Sequence, residues 1–99
     1  MMQPGGLGDA QHVTVDIQKI CDTMKSKAEQ RTCKKYGVFV AKLYKVQVVA
    51  GTNYFIKVHV GGDDYVHICV LQTLPRQGQG PEFVSIKEHM KKDDEILPF

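Results

Sequence analysis

At 99 residues the chain has room for one domain and one thin core. Its net charge of +2, from thirteen basic and eleven acidic residues scattered along the chain, supplies no concentrated basic stripe for nucleic acid, and no run approaches the ~18 apolar residues of a membrane span. The three cysteines, Cys21, Cys33 and Cys69, are odd in number and form no Cys-x-x-Cys pair, which argues against a secreted disulfide scaffold and for a reduced, cytoplasmic setting.

Met1 to Gln11 is expected to be a flexible arm. Gln3-Pro4-Gly5-Gly6-Leu7-Gly8 has no periodicity and three glycines, and ordering it costs conformational entropy. The arm also lacks the apolar run of a secretory signal. From Val15 the pattern changes. Ile17, Ile20, Cys21, Met24 and Ala28 form a single helical stripe, with Gln18, Lys19, Asp22, Lys25, Lys27 and Glu29 on the outer face. Thr14 suits the N-cap and Asp16 the first turn, where the helix dipole favours an anion. Lys34 and Lys35 are expected in the last turn, with Gly37 as the stop.

Beyond Gly37 the chain reads as strands. Val38 to Val49 is rich in β-branched and aromatic residues, and its alternation slips near Ala41 and Lys42, which predicts a bulge. Tyr54, Ile56, Val58 and Val60 share one apolar face of the next strand. Gly61-Gly62-Asp63-Asp64 is a turn, after which Val66, Ile68 and Val70 present a second apolar face. Pairing Val60 with Val66, Val58 with Ile68 and Ile56 with Val70 puts all six on one side of the sheet, whereas a one-residue slip would not. A last strand is expected over about residues 83–87, and a charged tail ending in Ile96-Leu97-Pro98-Phe99 should fold back. One helix and an antiparallel meander make an α+β fold, a single domain over residues 1–99 with the helix on a curved sheet.

Enzyme chemistry finds no foothold. There is no Gly-x-Ser-x-Gly, no phosphate-binding loop between strand and helix, and no His-Glu-x-x-His. Asp63-Asp64 and Asp93-Asp94-Glu95 read as a solvated turn and tail. His59, His67 and Cys69 are the nearest approach to a metal site, with His59 facing His67 in the register above. A fourth ligand is missing, and all three read better as ordinary outward-facing residues. No metal or cofactor is expected, and adventitious binding stays open. Cys21 belongs to the helix stripe, while Cys33 is expected to be exposed at the helix end.

One segment resists a scaffold explanation. Gln47-Val48-Val49-Ala50-Gly51 ends a strand in an apolar tip where a water-exposed hairpin would normally be polar. Leu74-Pro75 puts a second apolar step between strands, and Pro4-Gly5-Gly6-Leu7 is a third unusual place. Together these resemble the cystatin superfamily, specifically its stefin (type 1 cystatin) branch. The resemblance covers essentially the whole chain and is strongest across Gln47-Val48-Val49-Ala50-Gly51-Thr52-Asn53-Tyr54-Phe55-Ile56-Lys57-Val58. The Asp93-Asp94-Glu95 tail closing in Phe99 adds to it.

The resemblance implies a reversible, non-covalent, tight-binding inhibitor of papain-like cysteine proteases such as papain and the lysosomal cathepsins. It further implies a wedge of Pro4, Gly5, Gly6, Gln47, Val48, Val49, Ala50, Gly51, Leu74 and Pro75 that enters the protease cleft. The arm would take the non-primed side and the two loops the primed side. A monomer is the expected active form, with a strand-exchanged dimer as a possible inactive one. The rival reading is a non-inhibitory interaction module on the same fold, because fold alone does not fix function.

Overall fold

A computed structural model describes residues 7–73 and 80–99. Helix α1, Val15–Thr32, starts where expected: the Thr14 hydroxyl accepts the Ile17 N–H at 3.3 Å, and Asp16 lies in the first turn. Its end falls earlier than expected. Cys33 caps it in the left-handed conformation (φ 58°), so Arg31 is the basic residue of the last turn, while Lys34 and Lys35 lie beyond it. Glu29 explains the early stop. Its carbonyl accepts the N–H groups of Cys33 and Lys34, and its carboxylate accepts that of Tyr36 at 2.9 Å. Those bonds satisfy the chain as it leaves the helix axis, without waiting for Gly37.

Among the described residues, five antiparallel strands follow one another in sheet order: β1 (Gln11–His12), β2 (Val40–Val49), β3 (Gly51–His59), β4 (Tyr65–Gln72) and β5 (Glu82–Met90). The β2–β3 register shifts between Ala41 and Leu43, the bulge anticipated from the broken alternation. There the helix reaches across, as the Gln18 side chain accepts the Ala41 N–H at 3.1 Å. Ile17, Cys21, Met24 and Ala28 are buried against Ile56, Val58, Val66, Ile68 and Val70. Burial of Ile17 or Met24 contributes roughly 1.5–3 kcal/mol each. Among the described residues, no helix is long and apolar enough to cross a membrane.

The β3–β4 register is corrected by two residues. Val58 pairs with Val66, Ile56 with Ile68 and Tyr54 with Val70. The turn decides this offset: Gly61 and Gly62 take positive φ, Val60 N–H donates to Asp64 O at 3.1 Å, and His59 opposite Tyr65 becomes the first paired position. A two-residue shift preserves the face of every side chain, so the core assignment survives while the partners change.

The other sheet face is also covered. Phe55, Cys69 and Ile96 form a second small core, with Leu7 and Leu43 packed against it. The tail after β5 lies over this face. Lys57 Nζ donates to Lys92 O at 2.7 Å, Phe99 meets the Phe55 ring edge-on, and Lys45 pairs with Glu95 at 3.3 Å. His67 and Cys69 are therefore buried, at 1% and 2% exposure, and not outward-facing as expected.

Candidate functional site

The β2–β3 hairpin ends in an unusually tight tip. Val49 and Gly51 are paired, and Ala50 alone stands between them. Val48 is 69% exposed and Val49 42%, with Ala50 exposed beside them. From Gln47 to Asn53 the sequence contains no ionisable residue. The tip is thus an apolar, charge-free projection whose burial would remove little water from polar groups.

Local bonding stiffens it. Asn53 Nδ2 donates to Gln47 Oε1 at 2.9 Å across the hairpin, joining the two residues that the register also pairs. Gly51 adopts φ 126°, a region side chains rarely occupy. A Cβ there would also stand 2.8 Å from Gln72 O and 3.1 Å from Thr73 Cα. Bare Gly51 therefore allows the end of β4 to come against the hairpin tip.

On the other side Leu7 bridges Gln47, and Gly8 N–H donates to Val46 O at 2.9 Å. Of the expected site residues, Gln47, Val48, Val49, Ala50 and Gly51 form one projecting tip. Pro4, Gly5, Gly6, Leu74 and Pro75 lie outside the described residues. The chain on the near side of each of those segments, Leu7 and Thr73, is adjacent to the tip. Sequence reasoning left Asn53 and Leu7 out of the wedge, although both lie in the stretches that carry the resemblance. Equal spacing of Gln47 and Asn53 from the tip at Ala50 was a usable signal for the first.

His59, His67 and Cys69 are not brought together as a site. His59 Nε2 is 2.8 Å from Gly62 O, and its ring packs on Tyr65. It faces Tyr65 in register, while His67 faces Lys57, which corrects the expected His59–His67 pair. His67 Nε2 is buried without a hydrogen-bond partner among the described residues. Burial, and then the neighbouring Lys57 charge, push its pKa down to about 4 against the opposing influence of Asp94. Among the described residues, no group of three His, Cys, Asp or Glu side chains is placed to hold a metal ion. The Cys21 thiol is pushed up to about 12 by burial, with Asp22 adding to the effect, and burial also raises that of Cys69.

Comparison with known proteins gives this geometry its context. The cystatin domain family matches residues 5–93. Cystatin-A1 of Sus scrofa is 50% identical over 98 residues, covering 99% of this chain and 95% of the relative. Cystatin-B of Oplegnathus fasciatus is 47% identical over 98 residues, covering 99% and 98%. Leukocyte cysteine proteinase inhibitor 1 of Sus scrofa is 46% identical over 98 residues, covering 99% and 95%. With a family match over most of its length and relatives near half identical from end to end, the chain belongs to the cystatin family, alongside its A- and B-type members of the stefin branch.

Proposed function

We propose that this protein is a reversible, non-covalent inhibitor of papain-like cysteine proteases. The observation that carries this reading is the exposed, charge-free tip of Val48, Val49 and Ala50 on a stiff hairpin. The name of one relative, a leukocyte cysteine proteinase inhibitor, supports the class of target. In this reading the tip and Leu74-Pro75 cover the primed side of the protease cleft, and Pro4-Gly5-Gly6 occupies the non-primed side. The inhibitor supplies shape and apolar surface and undergoes no bond-making step, so it blocks the catalytic cysteine without reacting.

Magnitudes favour the tip as the basic recognition element. Each valine contributes roughly 1–2 kcal/mol if fully buried, and a paired hairpin loses little entropy on docking. Val48→Ala should weaken inhibition of papain roughly fivefold to tenfold. Because Val48 is exposed in the free protein, stability should be unchanged. A form beginning at Leu7 should dissociate faster while associating at a similar rate, measured by stopped-flow inhibition. Equal dissociation rates would remove the arm from the mechanism, and full-length protein that leaves papain and the lysosomal cathepsins active would identify a non-inhibitory interaction module. The monomer is the active form in this reading, because strand exchange through the tip would straighten it. An inhibitory dimer peak on size exclusion would contradict that.

A further inference from the structure

Among the described residues, the backbone at the arm's root is held by few bonds. Leu7 bridges Gln47, Gly8 donates a hydrogen bond to Val46 O, and β1 is two residues long. Such bonds contribute only about 1 kcal/mol net each, so the Leu7 side chain carries much of the attachment. With Leu43, it packs against the small core that Phe55, Cys69 and Ile96 form together. Phe55 and Cys69 belong to the sheet, but Ile96 comes from the opposite end of the chain and is 2% exposed. The tail that delivers it is held independently of the arm, by Lys57 on Lys92 O, by Phe55 against Phe99 and by Lys45 on Glu95.

We propose that Ile96 is a positioning residue for the N-terminal arm: with Phe55 and Cys69 it completes the apolar seat that holds Leu7, and so fixes where the arm leaves the sheet. The C-terminal tail thereby contributes to protease binding by way of the arm. This rests on the arm's role in the inhibitor reading, but its physical core, tail-dependent seating of Leu7, belongs to the free protein. Removing part of the Ile96 side chain opens the seat, leaves the hairpin tip bonded as before and lets the arm's root detach more often. Retention of the arm in a complex falls accordingly.

Two measurements test it. In the free protein, amide exchange in Ile96→Ala should show protection at Gly8 falling roughly fivefold, a size typical of coupled neighbours in one packing cluster, while that at Gln18, bonded to Thr14 O at the start of α1, holds. In complexes with papain, Ile96→Ala should speed dissociation by a similar factor in the full chain and have no effect in a form beginning at Leu7, which has no arm left to position. Unchanged Gly8 protection, a loss shared equally by Gln18, or the same kinetic effect in both chain lengths would overturn the proposal. If Ile96→Ala fails to fold, Ile96→Val gives the same comparison at smaller amplitude. Were the unaltered protein inactive against papain, the inhibitor reading would fall, and the exchange arm would still decide the seating of Leu7.

Discussion

Between pH 7 and 5 an ordinary imidazole takes up its proton, yet His67 lies at 1% exposure beneath the C-terminal tail, with Nε2 unpartnered among the described residues. Lys57 and Lys87 stand opposite it on the two neighbouring strands, and Lys45 and Asp94 complete its charged surroundings. Burial first and Lys57 next lower its pKa from 6.5 to about 4. In that window the unfolded chain therefore binds more protons than the native one, so stability is full above pH 6.5 and falls as pH drops toward 4. The loss from this residue amounts to about 2 kcal/mol at pH 5 and approaches about 3 kcal/mol below pH 4. That is a substantial share of the 5–15 kcal/mol typical of a domain.

Urea unfolding followed by circular dichroism at both pH values, on the unaltered protein and on His67→Gln, isolates the effect. The variant retains every other titrating group, including His12, His59 and His89, so the difference between the two pH dependences belongs to His67. Parallel stability curves would refute the reasoning. Proton resonances of the imidazole offer a direct check, with a midpoint near 4 expected and one near 6.5 refuting it. Lys57→Met, which removes the nearest positive charge, should raise that midpoint.

Gly51→Ala combines a disfavoured φ with a collision against Gln72 O, and should cost roughly 1–3 kcal/mol in urea unfolding. The same change should weaken papain inhibition, because relief of the clash moves the hairpin tip away from Thr73. Undiminished stability would show that the strands separate there at no cost. Iodoacetamide applied to the native protein should label Cys33 alone, since Cys21 and Cys69 are buried with raised thiol pKa values. Mass spectrometry showing a second native adduct would contradict the closed outer face at Cys69.

Much of the fold was legible because local rules and tertiary packing agree. The stripe of Ile17, Cys21, Met24 and Ala28 is periodic and lies against the sheet, and Thr14 caps the helix it precedes. The broken alternation near Ala41 marked the bulge. The apolar tip was legible by contradiction, since Val48, Val49 and Ala50 violate the usual chemistry of a hairpin turn. Less legible was the helix end, where the left-handed cap fell on Cys33 because Glu29 supplied acceptors that no propensity rule contains. The arm was read as free through Gln11, whereas Leu7, Gly8 and Gln11–His12 attach to β2 through contacts distant in sequence.

Alternation by itself determined which side chains of β3 and β4 face the helix, because a period of two assigns faces whatever the pairing offset. The offset was decided by the geometry of residues 60–64, so that His59 met Tyr65 and His67 met Lys57. Likewise the sequence identified one face as core and the other as open. The tail was expected to fold back, but only the folded chain showed where: Ile96 comes against Phe55 and Cys69, and Lys92 against Lys57. Periodicity describes the two sides of a strand, and a distant segment that covers one of them leaves no mark in that strand's own pattern.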